Sequence, residues 1–562
     1  MFAKASVGVT CWLALAAGVA AAPGSFRGAP GRDRAVALEE IQASLQEALE
    51  AVLSSEGAAK RSAHIEARVW QTFQSLPKND VGRLAPKAVR YLVHSYFMKE
   101  HGWLIQGLDP HANQAEVSEV HEVSILQDKA PLLVESLLEA RRSNHGLSLS
   151  DVVAMVGALE RLIFDESLAL LQASYAFNGL SAAEPIPQRS AHEVLTSYLL
   201  LFQLGSKANL TDVRLHQALK SRLSQREDWP ELVDFESDTV LNFEYARAHT
   251  SNPFLEPQYS FQDLSEMVGE MAHGYGKWQN RECQEMKAEL IEADADGDGR
   301  VPLSRFYLQA DNAKYQFSES VQYLQEIGAL DESGREKKVR IANYLQGPSN
   351  CIASSSYYSI CCLSECEGLL NELEAKVQAP TAEPAQLLDL VGHISSATVD
   401  APRELPSGLV RRLQDIADHN EGQVPLHGRL FAEWLHYAFP HECPYPKVFQ
   451  EAKALTPQFW ALKKMSVDAE ERLEIASTAT LQPENATQAT PGGEAEIAWS
   501  SEELLHAHEA PARKRGSARV ALRCVMQLAL LLGVLRAAAG SWQTLRSMAG
   551  FGDKAAKAAL PF

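Results

Sequence analysis

Three aspartates spaced two residues apart constrain this chain more than any other part of its sequence. They form the segment Asp294-Ala-Asp296-Gly-Asp298-Gly299, which follows a helical approach through Met286 and Leu290. Carboxylates at the first, third and fifth positions of such a loop converge on one hard cation, and a glycine at the sixth takes the sharp turn. The carbonyl of the seventh residue, Arg300, adds an oxygen. The spacing therefore predicts a cation-binding loop between two helices.

This segment resembles the EF-hand calcium-binding family over the loop and its flanking residues. The resemblance implies calcium as the bound ion, held by side-chain oxygens of Asp294, Asp296 and Asp298 and by the carbonyl oxygen of Arg300. It also implies that the apolar eighth residue, Val301, makes a short strand contact with a second, paired loop.

The loop departs from the family pattern at two ligand positions. Position 12, usually a glutamate that binds through both oxygens, is Arg305, and position 9 is Pro302, which has no side-chain oxygen. Two interpretations stay open. In the first, the three carboxylates bind calcium weakly, as extracellular modules do at roughly 0.1–1 mM. In the second, a helix–loop–helix keeps its fold and binds no metal.

Further segments echo the apolar and glycine positions of this loop. The segment 331–344 places Val339 as Val301 is placed, and an approach helix is expected over residues 311–327. The segment 417–428 repeats the pattern in Glu421-Gly422-Gln-Val424-Pro425-Leu426 but starts at an alanine, so calcium is not expected there. A fainter echo lies at residues 77–88, where an ordinary antiparallel helix pair is the competing interpretation.

Apolar residues recur at helical spacing through most of the chain. Ile65, Val69, Phe73 and Leu76 are one such series, and no long alternating strand pattern occurs. We therefore expect an all-α fold of EF-hand-like helix–loop–helix units with short loop–loop strand contacts, followed by a C-terminal linker and an apolar helix.

The N-terminus and the cysteines point to the secretory pathway. Residues 1–22 have the lysine, the apolar run and the small residues of a signal peptide. Six cysteines lie between the signal and the C-terminal apolar segment, an even number that suits three disulfides; they are Cys283, Cys351, Cys361, Cys362, Cys366 and Cys443. We expect Cys351 to Cys366 to run along a helix. Sequons at Asn209 and Asn485 would accept glycans in the same compartment.

The remaining sequence suggests the following division. A helical domain spans 35–270, an EF-hand pair 271–347, a cysteine-containing helical domain 348–465, a flexible linker 466–517, an apolar helix 518–540 and a tail 541–562. Residues 518–540 are charged at Arg523 and Arg536, so a membrane span, an interfacial helix and a packed helix all remain possible.

The net charge of the chain and its lack of enzyme motifs limit the kinds of function that we expect. A formal net charge of -20 argues against nucleic acid as a partner and suits cations. The expected partners are calcium, an unidentified protein and, through the C-terminal apolar segment, a membrane, in the secretory lumen or at the cell surface. No hydrolase or phosphate-binding motif occurs, so no enzyme is expected. A lesser alternative is a cysteine hydrolase that uses one of Cys351 to Cys366 with His427.

Overall fold

The computed structural model of the chain is mostly helical, with small antiparallel sheets between the helices. This confirms the helical class expected from the periodicity. The structure describes residues 42–49, 58–108, 123–142, 145–205, 210–225, 229–247, 257–308, 314–334, 336–352, 355–446 and 465–480.

After a helical segment at 42–49, the described helices in chain order are α1 (Ala58–Ser75), α2 (Pro86–His101), α3 (Ser124–Lys129), α4 (Pro131–Arg142), α5 (Leu149–Phe177), α6 (Gln188–Leu204), α7 (Val213–Leu223), α8 (Trp229–Arg247), α9 (Phe261–Ala293), α10 (Leu303–Tyr307), α11 (Val321–Glu326), α12 (Ile341–Leu345), α13 (Glu365–Val377), α14 (Pro384–Gly392), α15 (Ser407–His419), α16 (Arg429–Ala438) and α17 (Ala469–Thr480). The strands are β1 (Trp103–Ile105), β2 (Ile186–Pro187), β3 (Gln258–Tyr259), β4 (Arg300–Pro302), β5 (Leu330–Asp331), β6 (Lys338–Arg340), β7 (Tyr358–Ile360), β8 (Thr381–Ala382) and β9 (Val424–Pro425).

One local arrangement recurs along the chain. A helix ends in a loop, the loop closes with one to three extended residues, and a second helix begins within four residues of them. Two such units pair through an antiparallel contact between their extended residues. Within the described residues there are four of these pairs, joined at Leu84 and Leu147, Ile186 and Tyr259, Val301 and Val339, and Ala382 and Val424. All eight of these apolar side chains are buried.

Helix starts explain why the chain turns at these points. Ser148 and Ser260, each directly after a pairing residue, cap α5 and α9 and exchange hydrogen bonds with Asp151 and Asp263 three residues later. These capping boxes satisfy amide hydrogens that the first helical turn leaves without partners. An extended residue followed by a strong cap therefore ends one segment and starts the next.

Two long helices connect successive pairs. Helix α5, of 29 residues, leaves the first pair and enters the second. Helix α9, of 33 residues, leaves the second pair and enters the third. It therefore runs without a break across residue 270, where the sequence suggested a domain boundary. The hydrophobic face of α9 explains this, since Leu264 and Met271 pack into the N-terminal core while Leu290 packs into the next one.

Three main hydrophobic cores are present among the described residues. One joins residues 45–275 and includes Tyr358 and Ile360 of β7, a second lies between 286 and 345 with Val467, and a third lies between 369 and 443. We refer to the units around β4 and β6 as the middle pair and to those around β8 and β9 as the C-terminal pair.

Three disulfides are present among the described residues, as the even cysteine count predicts. They are Cys283–Cys362, Cys351–Cys361 and Cys366–Cys443. The expectation that Cys351 to Cys366 form one helix is wrong. Strand β7 occupies part of this stretch because it pairs with β1, and the helix begins only at Glu365.

Other expectations are also corrected. The helix expected over 311–327 is present only as α11. Residues 314–320 are not helical, because Ser318 and Ser320 form backbone hydrogen bonds with Val467 and Met465 instead. The segment 466–517 was expected to be a flexible linker, but it begins with α17, whose Ile475 packs on the middle core. Residues 1–22, 481–517, 518–540, 541–562, Asn209 and Asn485 lie outside the described residues. No helix within the described ranges is both long and apolar enough to cross a bilayer.

Candidate functional site

The loop of residues 294–305, here called the acidic loop, is closed by its first carboxylate. Asp294 ends α9, and its Oδ1 accepts a hydrogen bond from the Gly297 amide at 3.0 Å, while Oδ2 accepts one from the Gly299 amide at 2.8 Å. Both glycines have left-handed backbones, with φ of 66° and 76°. The sequence Asp-x-x-Gly-x-Gly therefore folds locally because the glycines turn the chain and the aspartate collects its amides.

The acidic loop also contacts the turn that follows α16. His441 Nε2 lies 3.0 Å from Asp294 Oδ2, and a Cβ added to Gly299 would lie 2.4 Å from the Pro440 carbonyl oxygen. Burial alone would raise the pKa of Asp294, but the hydrogen bonds from His441 and Gly299 outweigh it and lower that pKa. The carboxylate is therefore held ionised at the junction of the middle and C-terminal pairs.

Basic side chains form ion pairs with Asp296 and Asp298, the other two aspartates predicted to bind calcium. Lys338 Nζ lies 2.6 Å from Asp296 Oδ2 and 3.2 Å from Asp298 Oδ2. Arg300, whose carbonyl was the fourth predicted ligand, directs its guanidinium to Asp298 Oδ2 at 2.7 Å. Asp296 is largely exposed, with 65% of its side chain accessible, so its pairing with Lys338 is the weakest of these contacts.

The loop at residues 331–340, here called the partner loop, holds a carboxylate that forms an ion pair with the acidic loop. Its single buried carboxylate, Asp331, receives Arg300 of the acidic loop at 2.9 Å and its own Arg340 at 2.9 Å. Burial would raise the pKa of Asp331, but Arg340, Arg300 and Ser333 together lower it. Each loop thus supplies a cation to the carboxylates of the other.

The strands between these loops are paired as the sequence pattern predicts. Val301 lies opposite Val339 in an antiparallel register, with Arg300 opposite Arg340 and Pro302 opposite Lys338. This register brings Lys338 beside the acidic loop, since side chains on adjacent strands reach the same edge of the pair. The cross-loop ion pairs are therefore a consequence of the strand register.

Arg305, the last residue of the acidic loop, stands where a glutamate ligand would be expected and lies in the first turns of α10. Its side chain is exposed and donates to the Ala293 carbonyl oxygen at 3.3 Å, at the end of α9. A cation at a helix C-terminus is favourable. Arg305 therefore places no charge among the three aspartates.

In this structure the side-chain oxygens of Asp294, Asp296 and Asp298 do not come within 4.8 Å of one another as a set of three ligands. Among the described residues, the group of three potential ligands with all their ligand atoms within 4.8 Å of one another is His101, Glu160 and His273. In that group Glu160 Oε1 already accepts from Tyr96 at 2.7 Å and lies 3.3 Å from His101 Nε2. These three residues lie far apart in sequence, so no motif spacing in the sequence reveals the cluster.

The acidic loop would have to contract for its three aspartates to surround an ion.

The segment 417–428, which echoes the acidic loop in sequence, lies in the C-terminal pair. Its strand β9 pairs with β8, so its partner is the unit formed by α13 and α14, which the sequence pattern did not reveal. The loop between α13 and α14 holds no glycine, and Gln378 adopts the left-handed backbone conformation there, with φ of 51°. The fainter echo at 77–88 pairs through Leu84 with Leu147, a contact an ordinary helical hairpin does not require.

The predicted cysteine nucleophiles are all in disulfides, so the described residues hold no thiol for the cysteine-hydrolase alternative. His427, its proposed base, instead lies 2.9 Å from Glu374.

Comparisons of the chain with protein-family models, with curated proteins and with solved structures find no match. The function is therefore argued from the geometry of the acidic loop.

Proposed function

We propose that this chain is a secretory-pathway scaffold of EF-hand-like units whose acidic loop binds calcium weakly. Asp294, Asp296 and Asp298 supply side-chain oxygens and Arg300 its carbonyl oxygen. Calcium binding in the loop then alters the contact between the middle pair and the C-terminal pair through His441. The oxidising compartment agrees with the three disulfides.

The observation that carries the proposal is the folding of the loop around Asp294. The amides of Gly297 and Gly299 orient both carboxylate oxygens at the first position, and Val301 anchors the eighth position in the strand pair. An oriented carboxylate costs less to order when an ion arrives.

Calcium has to displace Lys338 from Asp296 and Asp298. The ammonium carries one charge and the ion two, so the exchange favours calcium electrostatically but is opposed by the dehydration of the ion and the missing bidentate ligand. We therefore expect a dissociation constant of about 0.1–1 mM, in the range of extracellular modules.

The test is a calorimetric calcium titration of the full chain and its variants. Lys338→Met removes the competing ammonium, and we expect it to tighten binding about tenfold, or about 1.4 kcal/mol. Asp296→Ala combined with Asp298→Ala removes two ligands and should abolish the heat. Lys376→Met is the matched control, because Lys376 pairs with Glu372 on the exposed face of α13.

Absence of heat with both the native chain and Lys338→Met would contradict calcium binding. Heat that survives the double aspartate variant would place the ion elsewhere.

A second candidate is a metal-free interaction scaffold. The exchange of Lys338 and Arg300 between the two loops favours it, because these side chains already neutralise the carboxylates. In that case Lys338→Met lowers the stability of the middle pair and calcium restores none of it.

A further inference from the structure

A cluster of potential metal ligands lies between α2, α5 and α9, outside the acidic loop. His101 at the end of α2, Glu160 of α5 and His273 of α9 each offer one ligand atom, and these atoms lie within 4.8 Å of one another. His101 and Glu160 are buried, and His273 is partly buried. Three segments that are distant in sequence therefore bring two imidazoles and one carboxylate together inside the protein.

The close packing of α9 against the end of α2 fixes this arrangement. Gly276 of α9 lies against the His101 backbone, and a Cβ at this glycine would collide with the His101 carbonyl oxygen. His273 precedes Gly276 by three residues, and its ring centroid lies 5.0 Å from that of His101. The Trp103 ring stacks on the His101 ring at 4.4 Å. The two imidazoles are thus held by packed helices and a strand, which position ligands more firmly than loops do.

His273 has the protonation state that a divalent cation needs. Its Nδ1 lies 2.7 Å from the Gly269 carbonyl oxygen, which can only accept, so Nδ1 carries the hydrogen and Nε2 carries the lone pair. Burial, followed by the nearby His101, lowers the pKa of His273 to about 4, so the ring is neutral at physiological pH. Histidines that bind metals commonly donate their other ring hydrogen to a backbone carbonyl in this way.

Glu160 is held as an oriented carboxylate. Burial would raise its pKa, but hydrogen bonds from His101 and Tyr96 outweigh burial and lower that pKa. The Tyr96 hydroxyl donates to Glu160 Oε1 at 2.7 Å. The group is therefore charged at neutral pH, and Tyr96 orients it as the outer residues of metal sites orient their carboxylate ligands.

His101 is held only weakly by other protein atoms. Its Nε2 lies 3.3 Å from Glu160 Oε1, beyond the roughly 2.7–2.9 Å of a charge-assisted hydrogen bond, and its Nδ1 has no hydrogen-bond partner within the described structure. Two ligand atoms bonded to one tetrahedral zinc ion at about 2.0–2.1 Å lie about 3.3–3.4 Å apart, which matches the separation of His101 and Glu160. Any proton on His101 is released when a metal binds.

We propose that His101, Glu160 and His273 bind a divalent transition-metal ion, with zinc as the ion that fits best. Two imidazole nitrogens and one carboxylate oxygen form the ligand set of zinc sites that keep a fourth position for water or another group. Calcium does not fit, because it takes about six to eight oxygen ligands. The three ligand atoms must draw together on binding, since 4.8 Å exceeds the tetrahedral spacing.

The test is equilibrium dialysis of the full chain against zinc chloride, with millimolar calcium present to compete at the acidic loop. Glu160→Gln keeps the shape of the side chain but removes its charge, and His273→Gln removes an imidazole. Each should weaken zinc binding at least about a hundredfold, since even the outer residues of metal sites contribute about tenfold to a hundredfold. Cobalt in place of zinc should give the visible absorption bands of a four-coordinate nitrogen and oxygen site.

The matched control is His216→Gln, because His216 is also buried, and both of its ring nitrogens lack a partner within the described structure, but it is not part of the cluster. It should leave zinc affinity and the cobalt bands unchanged. The proposal is overturned if the native chain retains no zinc, or if Glu160→Gln and His273→Gln bind zinc as the native chain or the control does.

Circular dichroism of each variant checks that the fold is kept. If neither variant folds, the native chain decides the question. Zinc should then raise its urea midpoint, because an ion that binds only the folded state stabilises it, and cobalt should give the expected bands. Absence of either effect would overturn the proposal.

Discussion

The acidic loop and the loop at 417–428 make the same turn by different means. In the acidic loop the amide of the sixth residue, Gly299, donates to the side chain of the first residue, Asp294, at 2.8 Å. In the second loop the sixth residue, Gly422, donates to the backbone carbonyl of the first residue, Ala417, also at 2.8 Å. The turn needs an acceptor at its first position, and a carboxylate is only one way to provide it.

This difference separates the fold of a unit from its capacity to bind metal. Since Ala417 closes its loop without a carboxylate, the aspartates of the acidic loop are not required for the turn. They add negative charge that must be balanced, which Lys338 and Arg300 do. The middle pair therefore depends on ion pairs where the C-terminal pair depends on backbone hydrogen bonds.

Substitution of Arg340 in the middle pair is expected to lower the free energy of unfolding more than any other change considered below. Its guanidinium pairs with buried Asp331, donates to the Gly328 and Leu330 carbonyls, and lies over the Tyr445 ring at 4.6 Å. Arg340→Met would leave a buried carboxylate with one cation fewer, and we expect a loss of about 3 kcal/mol in the free energy of unfolding. Urea unfolding measures it.

The control for this prediction lies on α15 of the C-terminal pair. Arg412 pairs with Asp415 at the surface at 3.5 Å, so Arg412→Met should change the free energy of unfolding by less than about 0.5 kcal/mol. Equal losses in the two variants would mean that the middle pair does not depend on its ion pairs.

Sequence reasoning recovered the parts of this arrangement that are local. The turn at Asp294 and the partner of Val301 follow from spacing and from an apolar echo at Val339. The units at Leu147 and Tyr259 also carry a local signal, an apolar residue followed by Ser-x-x-Asp, which would have revealed them. The unit at Ala382 carries neither a glycine nor this cap.

The electrostatic partners were not predictable in the same way. His441 is 147 residues from Asp294, and Lys338 reaches Asp296 only through the strand register. Such contacts depend on how units pack, which no spacing within one unit records.

Alanine at the sixth loop position is expected to lower the free energy of unfolding by an intermediate amount, and by more at Gly299 than at Gly422. Both have positive φ, 76° at Gly299 and 86° at Gly422, so alanine costs about 1 kcal/mol at either position. A Cβ at Gly299 would also lie 2.4 Å from the Pro440 carbonyl oxygen, whereas none of the described atoms lies within 4 Å of one at Gly422.

We therefore expect Gly299→Ala to cost about 2 to 3 kcal/mol and Gly422→Ala about 1 kcal/mol in urea unfolding. Hydrogen exchange should show that Gly299→Ala also exposes amides near His441. If the two variants lose the same stability, the contact of the acidic loop with the C-terminal pair contributes nothing measurable.

The smallest expected effect is a pH dependence of the partner loop. The pKa of Asp331 is lower in the folded protein than its ordinary 3.8, because Arg340, Arg300 and Ser333 outweigh the effect of burial. A carboxyl with a lowered folded-state pKa contributes stability that is present above its unfolded pKa and lost as the pH falls through its folded pKa. The contribution of Asp331 should therefore decline as the pH falls below about 4.

The decline is measured as the change in urea midpoint between pH 5 and pH 3. Asp331→Asn removes the titrating group, so the variant should lose less stability over this interval than the native chain, although it starts from a lower value. Glu421→Gln removes an exposed carboxyl from the loop of the C-terminal pair and should keep the native slope. If Asp331→Asn also keeps that slope, then the acid sensitivity of the chain arises outside the partner loop, and the contrast between charged and uncharged pairs does not extend to their response to pH.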